Sequence, residues 1–351
     1  MQQRKSEDFL VASASLQQQL IQKLQQADAY PHPTAQIKTI TTAASHVFLT
    51  GSFAYKINKP LNLGFLDFST LEKRKEQCEK EVKHNSLISP ELYLGVVSIT
   101  QDGEGNVKIG GSGTAVEYAV KMKQMPPEAT MDNLLKTGKV DLPQIRLLAK
   151  KIFQFHQKAP TNDEISSFGN EKSIQFNWDE NFQQTEKYRP ELISSDDFVF
   201  MQRKINNFIQ NNKALFQQRV EKNAIKHCHG DFHSANVFLT EKEMFIFDSI
   251  VFNQRFPCSD MVAEIAFMAM DLDFHHREDL AQQFIEEYQR LSGDADVPLL
   301  LDFYKCYRAY IRAKIACFTS EDNSLSVDER ELQKEKAKQY FSLAKKYSEK
   351  L

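Results

Sequence analysis

The residues best suited to chemistry lie in the stretch 229–236 and shortly after it. Asp231 and Asn236 stand five positions apart, and the short apolar run 244–247 ends at Asp248. One loop can bring together an Asp and an Asn with this spacing, and an Asp that closes a short strand emerges beside them. The pattern therefore predicts a base and two oxygen ligands for Mg²⁺ in one place, as phosphoryl transfer from ATP requires.

Each of these residue types is also ordinary in a loop. Asp, Asn, His and Gly form turns and cap helices without any catalytic role. The interpretation as a phosphate and metal site therefore depends on the complete set and on its spacing.

The pattern His-Gly-Asp-x-His-x-x-Asn at 229–236, followed by an apolar strand that ends in Asp, resembles the signature of the aminoglycoside phosphotransferase and choline kinase-like families. Segments at 47–51, 55–57, 64–72 and 92–95 resemble an uncharacterised bacterial branch, which often carries this module fused to a C-terminal P-loop ATP-binding domain. The resemblance covers about residues 30–318. It implies an α+β, two-lobed protein-kinase-like fold, with a small antiparallel sheet and one key helix in the N-lobe and a larger, mainly helical C-lobe.

The resemblance also implies a role for each matching residue. Asp231 is expected to accept the proton of the acceptor hydroxyl, while Asn236 and Asp248 hold Mg²⁺ on the ATP phosphates. Lys56 is expected to neutralise phosphate charge and to pair with Glu81, a helix residue. Without this context, Lys56 and Glu81 would equally suit solvated faces of a strand and a helix.

Other residues are expected to bind the nucleotide or to support the loop. Ser45 offers a hydroxyl and a backbone N–H in a turn that lacks a G-x-G-x-x-G motif, and Met122 lies in the strand that leads to the expected adenine-binding hinge. His229 and His233 are expected to shape the loop through hydrogen bonds. Asp260 is expected to cap the following helix and to brace the catalytic loop.

Arg308 and Arg312 stand four residues apart and should share one helical face. They can contact an anionic group of the substrate, or they can form salt bridges with the acidic stretch 271–273. Both interpretations remain open. His156, at a predicted helix end, is interpreted as a packed residue and not as a metal ligand.

Composition limits the class of protein. With 351 residues, 44 basic and 47 acidic side chains and a net charge of −3, the chain has room for two lobes and has no general surface for nucleic acid. Five scattered cysteines suggest reduced thiols. The sequence contains no run long enough to span a bilayer, and residues 9–16 do not form a convincing signal peptide. We expect a cytoplasmic protein with a small-molecule ligand, no nucleic acid and no membrane association.

Apolar periodicity and turn residues predict the element order. We expect an N-terminal helix (1–29), an N-lobe (30–125) and a C-lobe (126–351) with a substrate-side helical insertion at 160–226. Predicted strands lie at 37–42, 47–49, 54–57, 94–100, 106–109 and 115–122. A capping box at Ser69 and Glu72 predicts a helix start. Further helices are predicted after Asp141, at 176–186, 197–220, 261–270, 278–291 and 299–318, and from 328 onward.

The predicted function is an ATP- and Mg²⁺-dependent phosphotransferase that acts on a hydroxyl of a small molecule. Aminoglycosides themselves are a weak prediction, because the acidic residues nearest to the motif are only Asp271 and Asp273. The alternatives are an inactive nucleotide-binding regulatory module and an enzyme that transfers AMP to a protein. The chain has no G-x-x-x-x-G-K-[S/T] motif, so a separate P-loop ATP-binding protein is a possible partner.

Overall fold

The computed structural model describes residues 15–64 and 66–351. The chain divides into two compact units. The first comprises the residues up to Ala129 together with Phe238–Asn253, and the second comprises Thr130–Val237 and Gln254–Leu351. The part of the predicted N-terminal helix at residues 1–14, including Leu10, lies outside the described residues, as does Phe65 in the resembling segment 64–72.

The secondary structure within the described residues consists of ten strands and twelve α-helices, with four short 3-10 helices between them. The strands are β1 Lys38–Thr41, β2 Ser45–Leu49, β3 Phe53–Asn58, β4 Tyr93–Gln101, β5 Val107–Ile109, β6 Thr114–Lys123, β7 Ile225–His227, β8 Val237–Leu239, β9 Met244–Ile246 and β10 Cys258–Asp260. The helices are α1 (residues 15–23), α2 Leu71–Asn85, α3 Met131–Lys136, α4 Leu142–Lys158, α5 Asp163–Ser167, α6 Glu171–Thr185, α7 Ser195–Asn211, α8 Lys213–Glu221, α9 Met261–Phe274, α10 Glu278–Ser292, α11 Val297–Ser320 and α12 Val327–Ser348.

The first unit is built on one six-stranded antiparallel sheet in the order β1-β2-β3-β6-β4-β5. Its strands alternate side chains between two faces, and each face is covered. On one face Leu20 of α1 and Leu24, which directly follows α1, pack in the same apolar cluster as Phe48, Tyr55 and Ile57. On the other face α2 packs against β4 and β6. The sheet is therefore held between two helices.

The six predicted strands match this sheet, but the predicted start of α2 is wrong by one residue. Thr70, not Ser69, is the N-cap, and its side chain accepts a hydrogen bond from the N–H of Lys73. The Ser69 hydroxyl instead donates to Asp67 Oδ1 at 2.6 Å. The capping box fails here because a local Asp competes for the serine side chain.

The second unit is a helical assembly around α9. Every residue of α9 from Val262 to Leu272 is buried, and a helix that is apolar on all sides belongs in an interior. Helices α10 and α11 pack against it, and α12 packs along α11. The predicted run 197–220 is in fact two helices, α7 and α8, separated at Asn212. Among the helices described, none is long and apolar enough to cross a membrane.

A short antiparallel pair, β7 with β10, positions the candidate loop in this unit. The loop at 228–236 leaves the end of β7, while β10 leads directly into α9. Pairing of Cys258 with His227 and of Asp260 with Ile225 fixes the start of the loop beside the start of α9. The buried helix and the polar loop are thus anchored by the same two strands.

Candidate active site

The first group of candidate residues is centred on Lys56 in the first unit. Its Nζ lies 2.9 Å from Glu81 Oε1 and 2.6 Å from Asp248 Oδ1. Glu81 is buried on α2, whereas the Asp248 side chain is 51% exposed. We call Lys56, Glu81 and Asp248 the lysine cluster. The structure brings together three residues that are far apart in the sequence, and it presents one of the two carboxylates to solvent.

Burial alone would lower the pKa of Lys56. The carboxylates of Asp248 and Glu81 outweigh that effect and hold its pKa well above the ordinary value. Lys56 is therefore a charged ammonium group at neutral pH. Such a cation, fixed in a strand and neutralised from two sides, is suited to exchange one carboxylate for a phosphate oxygen.

Asp248 is held in place by its backbone. Its N–H donates to the Tyr93 hydroxyl at 2.9 Å, and the next N–H, of Ser249, donates to Asn85 Oδ1 at 3.0 Å. Asp248 has a φ of 65°, in the left-handed region that few side chains adopt. Tyr93 and Asn85 were not singled out as site residues from the sequence, because their partners lie more than 150 residues away.

Met122 lies on the same sheet face as Lys56. In the strand register Met122 is opposite Ala54, and Lys56 is opposite Val120. Directly opposite residues share a face and alternate residues return to it, so Ala54, Lys56, Val120 and Met122 line one surface. This surface is apolar except for the lysine, and Ala54 and Val120 were not singled out from the sequence.

Ser45 is placed differently from the expectation. It is buried at the first position of β2, and its hydroxyl lies 2.9 Å from Thr42 Oγ1. The Ser45 N–H also donates to Thr42 Oγ1, at 3.0 Å. Both groups that were expected to meet phosphate are therefore engaged within their own turn, and the structure offers no support for the Ser45 prediction.

The second group, which we call the loop cluster, consists of Asp231, His233 and Asn236 in the second unit. Asn236 Nδ2 donates to the Asp231 carbonyl at 2.9 Å and to Asp231 Oδ2 at 3.0 Å. His233 Nε2 lies 3.3 Å from the same carboxylate oxygen. A hydrogen bond from the Ala235 N–H to His233 Nδ1 places the ring proton on Nε2, facing Asp231. The loop thus fixes the carboxylate from both sides.

Burial would raise the pKa of Asp231, but the neighbouring charges oppose it. His233, Arg312 and His229 together hold its pKa well below the usual range. Asp231 is therefore ionised at neutral pH. It can accept a hydrogen bond from a hydroxyl group and orient that group for attack.

Glu264 on α9 supports this loop through hydrogen bonds to its backbone. It was not identified as a site residue from the sequence. Its two carboxylate oxygens accept the backbone N–H groups of His229, at 2.7 Å, and Gly230, at 2.8 Å. His156 Nε2 also lies 3.2 Å from Glu264, and His156 Nδ1 lies 2.7 Å from the Tyr288 hydroxyl. Gly230 can present its N–H in this way because its φ is 86°, a conformation that glycine adopts freely.

Burial would raise the pKa of Glu264, yet hydrogen bonds and charges lower it to about 2. The contributions come from His156 and His229. Cys228, His156 and Glu264 have potential ligand atoms within 4.8 Å of one another. Because the oxygens of Glu264 already accept backbone N–H groups, we interpret this group as support for the loop, in line with the packed role expected for His156.

Two further groups hold the loop in place. Asp271 Oδ2 accepts the N–H of Ser234 at 2.8 Å, and Arg308 Nη1 donates to the carbonyl of Gly230 at 3.1 Å. Arg308 is buried, and its Nε donates to the carbonyl of Ala263, also at 3.1 Å. This placement favours a supporting role for Arg308 over contact with a substrate. The salt bridge to the acidic stretch that was considered for it is not formed; Lys305 pairs with Asp273 instead.

Asp260 caps α9 as expected, with its Oδ1 accepting the N–H of Val262 at 2.8 Å. Both of its carboxylate oxygens also accept hydrogen bonds from Arg219, at 2.8 Å each. Arg219 reaches Asp294 as well, at 2.7 Å. Asp260 therefore ties the start of α9 to α8 and to the α10–α11 connection.

The oxygen atoms of Asp248 and Asn236 are of the chemical type that coordinates a magnesium ion. Asp248 offers a half-exposed carboxylate in the first unit. Asn236 uses its Nδ2 for both hydrogen bonds to Asp231, and across residues 15–64 and 66–351 no donor lies within hydrogen-bonding distance of its Oδ1. Carboxylate and amide oxygens are the ligands that Mg²⁺ prefers, usually together with waters and phosphate oxygens.

Comparison with known sequences gives relatives without known function. No family model matches the chain. Uncharacterized proteins of Mycobacterium tuberculosis and Mycobacterium bovis are each 29% identical to it over 293 residues, which is 83% of this chain and 57% of the relative. The chain therefore spans little more than half the length of the curated relatives that it matches.

Comparison with solved structures identifies the fold. A choline/ethanolamine kinase family protein from Mesorhizobium loti superimposes with a TM-score of 0.52 at 9% identity, over 91% of this chain and 94% of that one. A choline kinase from Cryptosporidium parvum gives 0.52 at 12% identity, over 90% and 89%. A candidate aminoglycoside phosphotransferase from Ralstonia eutropha gives 0.54 at 11% identity, over 94% and 97%. The predicted α+β, protein-kinase-like fold is confirmed.

Proposed function

We propose that this protein is an ATP- and Mg²⁺-dependent phosphotransferase that transfers the γ-phosphoryl group of ATP to a hydroxyl group of a small molecule. The observation that carries the proposal is the lysine cluster, in which Lys56 is charged and fixed between Glu81 and the half-exposed Asp248. A kinase-like fold alone would not carry it, because folds host many activities. The cluster adds the chemistry that phosphoryl transfer needs.

In the first unit, Lys56 binds phosphate oxygens of ATP and Glu81 keeps its ammonium group in position. Ala54, Val120 and Met122 share a sheet face with Lys56, and their apolar side chains are suited to contact an adenine ring. When the nucleotide binds, Lys56 exchanges its contact with Asp248 for phosphate. Asp248 is then available as a metal ligand.

In the second unit, Asp231 accepts a hydrogen bond from the acceptor hydroxyl. The hydroxyl oxygen forms a bond to the γ-phosphorus, the bond from that phosphorus to the bridging oxygen breaks, and ADP leaves. The proton of the hydroxyl passes to Asp231. Asn236 and Asp248 would hold Mg²⁺, which supplies charge neutralisation on the phosphates when it is bound.

The alternative of an inactive nucleotide-binding module predicts nucleotide binding without turnover. The chain keeps the residue types that phosphoryl transfer needs: a charged lysine at 56, carboxylates at 81, 231 and 248, and an amide at 236. This complete set favours turnover. AMP transfer to a protein and a separate P-loop partner both stay predictions, as does a cytoplasmic location.

The test is transfer of labelled phosphate from γ-³²P-ATP to a panel of hydroxylated metabolites, by the native chain and by Asp231→Asn. We expect turnover by the native chain and a loss of about 10²–10⁴-fold in kcat in the variant, with its affinity for Mg-ATP unchanged. Unchanged turnover in Asp231→Asn would remove Asp231 as the base. Binding of Mg-ATP with no turnover on any acceptor would favour the inactive module, and label from α-³²P-ATP on a protein would favour AMP transfer.

A further inference from the structure

Arg312 differs from the other arginine that faces the catalytic loop. It lies one helical turn beyond Arg308 on α11. Arg308 uses its guanidinium to hold the carbonyls of Gly230 and Ala263. Arg312 has no carboxylate within 4.0 Å in the described part of the chain. A guanidinium in this position therefore lacks the close ion pair that a partly buried charge normally has.

The surroundings of Arg312 connect it to the site of transfer. Its guanidinium lies over the ring of Tyr340 on α12, 5.7 Å from the ring centroid. Arg308, one turn earlier on the same helix, donates to the carbonyl of Gly230, the residue that precedes Asp231. The carboxylate of Asp271 on α9 interacts electrostatically with the Arg312 guanidinium. Arg312 is therefore next to the loop cluster, in a region bounded by α9, α11 and α12.

The acids of this region are engaged by the protein itself. Asp271 accepts the Ser234 N–H, and Asp273 pairs with Lys305 and with the Tyr347 hydroxyl. A polycationic acceptor would need free carboxylates near Asp231, and the acidic residues that the sequence offered for this purpose are already satisfied. Arg312, by contrast, lies against the ring of Tyr340 and has no carboxylate within 4.0 Å among the described residues.

We propose that Arg312 binds an anionic group of the acceptor, a carboxylate or a phosphate, while Asp231 receives the hydroxyl group of the same molecule. This inference rests on the proposed phosphotransferase function and names its substrate class, a small hydroxylated anion. A guanidinium fits both oxyanions because its donors lie in one plane and can bind two oxygens at once. Such an acceptor would complete the ion pair that Arg312 lacks.

The first test measures binding without turnover. The protein is saturated with a Mg-bound, non-hydrolysable ATP analogue so that its nucleotide phosphate sites are filled, and inorganic phosphate is then titrated by calorimetry. We expect saturable binding by the native chain, at least tenfold weaker binding by Arg312→Gln, and binding within a few-fold of native by Arg312→Lys. Arg203→Gln, which alters an exposed arginine on α7, is the matched control and should bind as the native chain does.

Equal phosphate affinity in Arg312→Gln and Arg203→Gln, or no saturable binding by the native chain, would overturn the proposal. Circular dichroism of each variant verifies folding. Where Arg312→Gln fails to fold, Arg312→Met takes its place, because it also removes the charge and keeps most of the side-chain volume; phosphate affinity in a folded Arg312→Met equal to that of Arg203→Gln would overturn the proposal.

The second test uses a matched set of acceptors: glycerol, glycerate and glycerol 3-phosphate. We expect the native chain to have at least a tenfold higher kcat/KM for an anionic member than for glycerol, and the better anion distinguishes carboxylate from phosphate. Arg312→Gln should raise KM for the anion about tenfold and leave KM for ATP unchanged. If Asp231→Asn abolishes transfer while Arg312→Gln affects glycerol and the anions equally, only the substrate class is wrong. If the native chain transfers phosphate to none of the acceptors, the phosphotransferase proposal itself fails.

Discussion

At the scale of single residues, Lys56 shows how one side chain can acquire its chemistry from two partners. Glu81 is buried and fixes the ammonium group, whereas Asp248 is half exposed and can be displaced. An ammonium group buried without partners would lose its charge, because burial lowers its pKa. The pair of carboxylates keeps the charge and leaves one contact exchangeable.

We therefore expect Lys56→Met to weaken Mg-ATP binding by at least tenfold and to lower kcat by at least 100-fold, because a desolvated phosphate contact is lost. Equilibrium binding of a fluorescent ATP analogue and the transfer assay measure the two effects. The matched control is Lys80→Met on α2, where the lysine forms only an exposed pair with Glu76. Equal affinity for Mg-ATP in both variants would exclude Lys56 from the nucleotide site.

At the scale of elements, α9 is the support on which the loop is built. Asp260 caps its first turn, Glu264 in the same turn accepts two backbone N–H groups, and Asp271 in a later turn accepts the N–H of Ser234. A helix that is buried on all sides can carry these carboxylates because each accepts at least one hydrogen bond from the protein. The geometry of the loop therefore depends on charges inside an otherwise apolar helix.

The pKa of Glu264 makes this support sensitive to acid. Its folded value, about 2, lies below the ordinary 4.5, so the ionised form stabilises the folded state above pH 4.5. That contribution decreases as the pH falls from 4.5 towards 2. Replacing Glu264 with Gln removes it and leaves a backbone N–H facing an amide donor.

We expect Glu264→Gln to lower the free energy of unfolding by about 3–5 kcal/mol at pH 7, as the loss of one member of a buried charged network typically does. The difference from the native chain should become smaller below pH 4.5. Urea unfolding at pH 7 and at pH 4 measures it. Glu321→Gln is the control, because its pair with Lys187 is exposed and should contribute less than about 1 kcal/mol. A pH-independent difference would contradict an ionised Glu264.

At the scale of the whole molecule, the chain has two compact units, with the lysine cluster in the first and the loop cluster in the second. The segment Phe238–Asn253 belongs to the first unit although it follows part of the second unit in the sequence, and this places Asp248 with Lys56. Asp231 and Asn236 belong to the second unit. The division into 1–29, 30–125 and 126–351 that the sequence predicts does not place this segment in the first unit and stays a prediction.

Binding of Mg-ATP to the folded chain should raise its thermal midpoint, because a ligand that binds only the folded state stabilises it. At a ligand concentration of 100 times Kd the stabilisation is about 2.7 kcal/mol. We expect the rise to require Mg²⁺ and to be lost, or reduced to the effect of ATP alone, in Asp248→Ala. Differential scanning fluorimetry measures it, with Asp197→Ala as the control, because Asp197 is a partly exposed acid on α7 that pairs with Lys345. The same Mg²⁺-dependent rise in Asp248→Ala would remove Asp248 as a metal ligand.

The sequence by itself determined the local features of this protein. The spacing of Asp231, Asn236 and Asp248 indicated the chemistry, and β-branched and apolar alternation located the strands. The caps at Asp141 and Asp260 were also predictable, because a cap is a contact between residues two or three positions apart. Even so, the start of α2 was misplaced by one residue where Asp67 competed for Ser69.

Only the tertiary structure decided which distant groups meet. The contact of Lys56 with Asp248 joins residues 192 positions apart, and Glu264 reaches the loop from 35 positions away. Arg308 and Arg312 have the same residue type and lie on one helix, yet Arg308 braces the loop whereas Arg312 has no close carboxylate among residues 15–64 and 66–351. Periodicity identifies the face of an element, whereas the partner on that face depends on how the elements pack, and this information is not contained in any local stretch of the sequence.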